Sequence, residues 1–412
     1  MCAGLILGLI LNWVIFYSGF DANLIAAVRS NLISGILDTV GQIFVRSLML
    51  MIVPMVVVSL ILGSASLGNN SRMGPMALKT IVLYLVTTCI AITLALSIAL
   101  IVQPGSGVDQ ELVEFSAKEV PTFKETVINI FPTNPVAAMA ETKMLQLIIF
   151  AILTGVALSR VGDKGEPVLK FFESLNEVVM KMVMMLMHLA PYGVFALLAK
   201  TVAELGFDAI GKILAYFFTM VFVLLLHALV VYPAFLKLLT GLNPLRFFRN
   251  IRPAMLFAFS TASSNATLPV TMEVARDRLG IKRSISSFTL PLGATINMDG
   301  TAIMMGVATV FISQVYGIDV GLQGYLLVVL TATLASIGTA GVPGVGQIML
   351  TMVLGQVGLP VEGIALILGV DRLLDMIRTA VNITGDSMVA AVVANSESAI
   401  DLDTFRADSD IR

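Results

Sequence analysis

The chain has 412 residues, of which 57% are hydrophobic and only 13% are charged. Soluble domains carry about 25% charged residues, so the composition excludes a soluble multidomain protein and indicates an integral membrane protein. The net charge of −2 argues against a nucleic-acid partner. The 2 cysteines and 2 histidines offer neither a disulfide framework nor the ligand spacing of a catalytic zinc site.

Apolar stretches in chain order predict eight membrane-crossing helices, because a helix needs about 20 apolar residues to span a bilayer. The first stretch lacks the basic segment and the cleavage site of a signal peptide. The fourth is interrupted by Pro132 and Pro135. The predicted spans are 2–19, 40–66, 78–103, 127–159, 173–201, 210–236, 284–316 and 361–395.

Two further apolar stretches, about 253–275 and 320–358, are interrupted at their centres by small polar residues and proline, at 263–269 and 336–344. Lys and Arg flank the first stretch on both sides, whereas the second contains neither. Because basic residues concentrate in cytoplasmic loops, we predict that the first enters and returns from the cytoplasm and the second from outside.

Non-helical backbone at membrane depth is tolerated only where it is buried in protein or lines a cavity. Two interrupted hairpins of opposite orientation therefore form an inverted repeat, which indicates a transporter site near the membrane midplane. With eight crossings, both termini are predicted in the cytoplasm and the acidic 104–126 loop outside. The alternative is ten plain helices whose small residues serve helix packing.

The last predicted span carries a stripe of polar residues at spacings of 4, 3, 4 and 4, which covers roughly an 80° arc of the helix. Ionisable groups at this depth are costly and usually face a pathway or a partner. Arg378 suits a substrate carboxylate and Asp375 an ammonium group, a combination typical of an acidic amino acid. A purely structural ion pair is the alternative. The stripe comprises Asp371, Asp375, Arg378, Asn382 and Asp386.

The span before it is interrupted around Asn297 and Asp299, between Gly293 and Gly300. These glycines predict an opened helix with free carbonyl oxygens, and hard cations prefer oxygen ligands. Asp299 and Asp386 are therefore candidate sites for coupling cations. A further set of hydroxyls lies in the 78–103 span, although hydroxyls often bond to their own helix. This set comprises Tyr84, Thr87 and Thr88.

These residues resemble a known family, the glutamate transporters or dicarboxylate/amino acid:cation symporters, and are most similar in pattern to prokaryotic sodium-coupled aspartate or glutamate transporters. The matches span nearly the whole chain in the family's order, and those from residue 297 onward include the most specific. The matching runs are Pro132–Pro135, Ala190–Pro191, Gly193–Ala196, Ala266–Thr271, Asn297–Thr301, Ser336–Pro343 and Arg378–Asp386.

The resemblance implies an all-α membrane protein of eight transmembrane helices and two re-entrant hairpins, which assembles as a homotrimer in the cell inner membrane. A mobile transport domain slides against a static scaffold by an elevator mechanism, with the outer hairpin as its gate. Lipid and an acidic amino acid are the implied partners. The implied scaffold is 1–70 and 105–205, and the implied transport domain is 71–104 and 206–412, with hairpins at about 245–280 and 320–358.

The resemblance also implies the roles of individual residues. The substrate's side-chain carboxylate meets Arg378 and its amino group meets Asp375, with Ser263, Ser264, Thr301, Val342, Gly346, Thr379 and Asn382 completing the pocket. Na⁺ is the implied coupling ion, and no organic cofactor is expected. The implied sodium sites are Gly293, Asn297, Asn382 and Asp386; Thr295, Met298, Ser336, Ile337 and Thr339; and Tyr84, Thr87, Thr88, Asn297 and Asp299.

Three positions depart from the family's pattern. Asn265 replaces the third serine of the inner tip, and Ala262 stands where archaeal members often have arginine. We hypothesise that Arg372 supplies the missing charge. Met305 replaces a glutamate that animal members link to potassium return, so potassium countertransport is not expected.

Met298 and Asp386 are kept, whereas proton-coupled relatives tend to lose both, and this favours sodium. The prediction is thus a sodium-coupled symporter of L-aspartate and/or L-glutamate, and not an enzyme. The alternatives within the fold are a proton-coupled glutamate or C4-dicarboxylate symporter and a neutral amino acid transporter. An intramembrane aspartyl protease is disfavoured because Ile383 replaces the first glycine of Gly-x-Gly-Asp, and a channel because no ring of charges or carbonyls is evident.

Overall fold

All regular elements are helices in a computed structural model, which describes residues 2–65, 74–106, 128, 131–336, 339 and 341–407. Within those residues one isolated antiparallel bridge joins Ile281 to Ile400. Five helical runs in the described part are long and apolar enough to cross a membrane. These runs are Ala22–Ala65, Pro75–Val102, Met144–Met187, Ile210–Thr240 and Arg283–Val315.

The α-helices are numbered here in chain order. Those before residue 206 are α1 (Cys2–Phe16), α2 (Ala22–Ala27), α3 (Asp38–Leu50), α4 (Ile52–Ala65), α5 (Gly74–Val102), α6 (Pro135–Ala140), α7 (Met144–Val161), α8 (Glu166–Met187) and α9 (Ala190–Leu205). Those after it are α10 (Phe207–Leu226), α11 (Tyr232–Thr240), α12 (Pro244–Thr261), α13 (Ser264–Asp277), α14 (Arg283–Ile296), α15 (Asp299–Val315), α16 (Gly321–Ser336), α17 (Val345–Gln356), α18 (Ile364–Ser396) and α19 (Leu402–Arg406). Two π-helical segments, Val28–Leu37 and His227–Val231, link neighbouring helices.

The helices pack in two groups. In the first group α4 packs on α7 and α8, while α1 and α3 pack on α9. In the second group α10 to α15 all pack on the 33-residue helix α18, and α5 packs along α15 and α16. α9 also contacts α18, so the two groups meet at that helix.

Each interrupted stretch forms a pair of helices that pack on each other, α12 with α13 and α16 with α17. Between α12 and α13 the backbone of Ala262 takes the left-handed φ of 51°, which is uncommon for a residue with a side chain. The chain then reverses, and Ser263 caps α13 by accepting a hydrogen bond from the Ala266 amide at 3.2 Å. Gly344, with φ of 86°, precedes α17. The predicted breaks at 263–269 and 336–344 therefore coincide with real ends of helices.

Several predicted boundaries differ from the structure. Helix begins at residue 22 rather than 40, because polar residues between them lower the local hydrophobicity without breaking the helix. The prediction of one helix over 173–201 is wrong, since α8 ends at Met187 and α9 begins just before Pro191, whose missing N–H cannot continue the first helix. Within the predicted 127–159 span, the long helix begins only at Met144. Residues 107–126, in the predicted outer loop, lie outside the described residues.

Candidate functional site

The break between α14 and α15 is tied to the polar stripe of α18. Asn297 ends α14, and its Nδ2 donates a hydrogen bond to Asp386 Oδ1 at 2.9 Å. The amide of Gly300, in the first turn of α15, donates to Asn382 Oδ1 at 2.7 Å. The side chains of Asn297, Asn382 and Asp386 are all buried. The predicted interruption is therefore real, and it lies against the predicted stripe.

Asp299 begins α15 and is held by side chains from three other segments. Thr88 donates to its Oδ1 at 2.6 Å, and the Tyr232 hydroxyl donates to its Oδ2 at 2.9 Å. His227 Nε2 lies 3.3 Å from the same Oδ2. Sequence analysis missed His227 and Tyr232, although an isolated histidine within an apolar span is itself a signal of a buried polar partner.

The predicted hydroxyl and glycine residues join the same cluster. Thr87 Oγ1 lies 3.4 Å from Asn297 Oδ1, and the Tyr84 hydroxyl donates to the Thr289 carbonyl at 2.9 Å. A Cβ atom added to Gly293 would lie 2.5 Å from Asp386 Oδ1 and 2.6 Å from the Tyr84 hydroxyl oxygen. Only glycine fits at this position. Carboxylate, phenol, amide and backbone oxygens lie close together in the small space around it.

The second predicted cation set is brought together in part. Ser336 Oγ donates to the Ile296 carbonyl at 3.0 Å, which links the end of α16 to the end of α14. The hydroxyls of Thr295 and Thr339 instead donate to carbonyls of preceding residues, Leu292 and Ala335. These hydrogen bonds use the hydroxyl hydrogens and leave the lone pairs of the hydroxyl oxygens available to a cation. Ile337, the remaining member beside Met298, lies outside the described residues.

A cavity of about 20 Å³ lies between the tips of the two helix pairs and α18. A volume of this size holds water rather than an amino acid. Ser263 does not line the cavity, and its hydroxyl donates to the Gly341 carbonyl at 2.7 Å. Ala262 and Gly341 line the cavity but were not predicted as site residues from the sequence. The predicted residues in the lining are Ser264, Met298, Thr301, Thr339, Val342, Gly346, Asp375, Thr379 and Asn382.

Arg378 lies beside this cavity and is 1% exposed. Its NH2 atom lies 3.0 Å from Asp371 Oδ1 and 3.0 Å from Asp375 Oδ1, and its NH1 atom contacts the sulfur of Met304. The ion pair considered above as an alternative is thus present in this conformation. Arg372 is exposed and forms no ion pair among the described residues.

The buried charges of this region do not cancel. With the carboxyls ionised and His227 neutral, four carboxylates and one guanidinium sum to −3. An acidic amino acid would add one further negative charge. Because uncompensated buried charge is costly, bound cations would stabilise both the empty and the loaded site. The carboxylates are Asp299, Asp371, Asp375 and Asp386, and the guanidinium is Arg378.

Comparisons with known proteins place the chain among transporters. A family model described as the sodium:dicarboxylate symporter family matches residues 1–396. The chain is 37% identical to the proton/glutamate-aspartate symporter of Escherichia coli (strain K12), over 90% of this chain and 88% of that protein. It is 35% identical to the proton/sodium-glutamate symport protein of Geobacillus stearothermophilus, over 96% and 93%. It is also 35% identical to the neutral amino acid transporter B(0) of Oryctolagus cuniculus, over 86% and 72%.

The family and these relatives are transporters rather than enzymes. Together with the long apolar helices, they establish a multi-pass membrane protein. With the family model matched from residue 1 to residue 396, the chain belongs to the sodium:dicarboxylate symporter family.

Proposed function

We propose that the protein is a secondary active transporter that carries L-aspartate, L-glutamate or both across the cell membrane together with sodium ions. The observation that carries this proposal is a buried guanidinium, Arg378, beside a cavity lined by Asp375 and Asn382. The names of the Escherichia coli and Geobacillus relatives, both symporters of glutamate, support the same substrate class.

The charges around the cavity suit an acidic amino acid better than its analogues. Arg378 can receive the side-chain carboxylate, and Asp375, whose side chain is 15% exposed, can receive the ammonium group. The amides at the starts of α13 and α17 suit the other carboxylate. A neutral substrate would leave Arg378 without a new partner, and a plain dicarboxylate would offer no amine to Asp375.

The excess of buried carboxylates over guanidinium supports cation coupling, and the ligand types favour sodium. A proton needs a single carboxylate, whereas the Asp386 and Asp299 clusters also assemble amide, hydroxyl and carbonyl oxygens that a hard cation prefers. Retention of Met298 supports the same assignment by resemblance. Coupling to protons, as in the name of the Escherichia coli relative, is the second candidate.

We further propose a homotrimer whose transport domain slides past a static scaffold. The division of the helices into two packed groups supports the predicted scaffold of 1–70 and 105–205 and the predicted transport domain of 71–104 and 206–412. In this proposal the two helix pairs are re-entrant hairpins among eight crossings, and both termini lie in the cytoplasm. Scattering from the detergent-solubilised protein would measure the mass of the assembly.

Uptake of labelled L-aspartate into proteoliposomes tests the transport proposal. An inward sodium gradient is compared with an inward proton gradient at matched voltage, and we expect uptake with sodium. Uptake with protons alone would keep the transporter but assign the carboxylates to protons. The absence of both L-aspartate and L-glutamate uptake under both gradients would contradict the proposal and direct the search to neutral amino acids and dicarboxylates.

A cross-link between the two groups tests the sliding motion. A Cβ atom on Gly369 of α18 would lie 2.9 Å from Leu198 of α9. With Cys2 and Cys89 replaced by serine, a Leu198→Cys, Gly369→Cys pair should stop transport when oxidised and recover on reduction. The matched control links Gly41 of α3 to Leu197 of α9, two positions within the first group where an added Cβ atom would meet the Leu197 side chain, and it should leave transport intact. Full transport by the oxidised 198–369 pair would contradict sliding.

A further inference from the structure

Gln347 connects the second helix pair to the polar stripe of α18. It lies in α17, next to the cavity residue Gly346, and its side chain is buried. Its Nε2 donates a hydrogen bond to Asp371 Oδ2 at 2.7 Å. Its Oε1 has no hydrogen-bond partner among the described residues. A single bond to another helix therefore orients this buried amide.

Asp371 links Gln347 to Arg378, because it contacts both side chains. Its Oδ2 accepts from Gln347, while its Oδ1 lies 3.0 Å from Arg378 NH2. Asp371 is buried and does not line the cavity, unlike Asp375. With Oδ2 held by Gln347, the Asp371 carboxylate cannot rotate freely about its Cβ–Cγ bond. Its Oδ1, which contacts Arg378 as an ion pair without a hydrogen bond, therefore keeps its place beside the guanidinium. Since guanidinium recognition of carboxylates depends on planar, paired geometry, such a rotation would misplace Arg378.

We infer that Gln347 is a positioning residue for substrate recognition, which acts on Arg378 through Asp371. The restraint exists only while α17 is packed against α18, so it orients the guanidinium when the second helix pair is closed. Release of α17 frees the Asp371 carboxylate and, with it, the guanidinium. This inference rests on the proposed function, because it concerns recognition of an acidic substrate.

Two substitutions separate this role from packing. Gln347→Met keeps the length of the side chain and removes the donor to Asp371. Thr351→Val is the matched control, since Thr351 is buried in the same helix and its hydroxyl donates to the Ile348 carbonyl of that helix. Asp371→Asn, alone and combined with Gln347→Met, tests whether Gln347 acts through that carboxylate.

The measurements are calorimetric binding of L-aspartate in saturating sodium and of sodium without aspartate, with purified full-length protein. We expect Gln347→Met to weaken aspartate binding about tenfold, as for the loss of one hydrogen bond to a charged group. Sodium binding should stay within about twofold, because the proposed sodium ligands Asp299 and Asp386 do not contact Gln347. Thr351→Val should leave the affinities for aspartate and sodium unchanged. In the Asp371→Asn background, Gln347→Met should weaken aspartate binding further by less than about twofold.

Three outcomes would overturn the inference. Equal losses of aspartate affinity in Gln347→Met and Thr351→Val would show a packing effect. If Gln347→Met still weakens aspartate binding tenfold in the Asp371→Asn background, Gln347 acts independently of Asp371. Wild-type aspartate affinity in Gln347→Met would reject the inference while the proposed function stands. Failure of the wild-type protein to bind either L-aspartate or L-glutamate rejects the proposed function, and the inference with it.

Discussion

Half-buried hydroxyls on α7, in the first helix group, bond within their own helix, whereas some buried hydroxyls of the second group bond to other helices. In the first group Thr154 and Ser159 donate to carbonyls of their own helix, each at 2.8 Å. In the second group Thr88 donates to a carboxylate of another helix, Asp299.

This difference separates packing from recognition. A hydroxyl bonded to its own helix is satisfied wherever that helix lies, so it places no constraint on a neighbour. A hydroxyl or amide bonded to another helix is satisfied only in one arrangement, and a buried group left unpaired is costly. The second group therefore fixes the relative positions of its helices through polar contacts, and these contacts surround the cavity.

The largest effect should come from Arg378→Ala. This change removes the guanidinium and leaves Asp371 and Asp375 as neighbouring buried anions, so we expect aspartate uptake to fall at least about 100-fold. Arg252→Ala is the control, because Arg252 is exposed and has no proposed part in the site. Initial uptake rates in proteoliposomes provide the measurement. Unchanged aspartate transport by Arg378→Ala would remove the substrate assignment.

Asp386→Asn should come next. The amide preserves the acceptor for Asn297 but removes the negative charge, so the sodium concentration for half-maximal uptake should rise about tenfold or more. Ser387→Ala, at the adjacent buried position, provides the control. Wild-type sodium dependence in Asp386→Asn would exclude this carboxylate from the cation site. If Asp386→Asn instead abolishes the dependence of uptake on the proton gradient, the coupling ion at this carboxylate is a proton.

Thr88→Val and Thr154→Val test the comparison directly. Thr88→Val leaves Asp299 with one donor fewer, so we expect sodium affinity to fall about tenfold. Thr154→Val removes only a bond within its own helix and should change sodium affinity less than about twofold, because the lost bond reaches no other helix. Sodium titrations of uptake measure both variants. Equal effects would contradict the distinction between the two helix groups.

The smallest effect should come from a change at Asp401, which takes no part in the buried contacts of either helix group. The hydrogen bond from Thr404, together with the Asp403 amide, lowers the pKa of Asp401 below its ordinary value of 3.8. The cap it forms on α19 is therefore fully present above pH 3.8 and is lost as the pH falls through the lowered pKa. Asp401→Ala should speed amide exchange in α19 at neutral pH without changing transport. Protection that persists unchanged would contradict the cap.

Local sequence signals predicted the elements that carry the site. Glycine and polar residues around Asn297 indicated the break in a buried helix, and the spacing of Asp371 to Asp386 indicated one polar face. Both signals act within a few residues of the chain, and so they can be recognised without tertiary structure. The split near Pro191 was missed because a long apolar stretch hides a local break.

Partners between distant segments were decided only by the tertiary structure. Tyr232 and His227 meet Asp299 across about 70 residues, and Gln347 reaches Asp371 from another helix. The sequence by itself determined a membrane-embedded helical chain with costly buried charges, because composition and helical periodicity are local properties. Which group neutralises or orients each charge depends on how the helices pack, since a hydrogen bond forms only where packing brings donor and acceptor together.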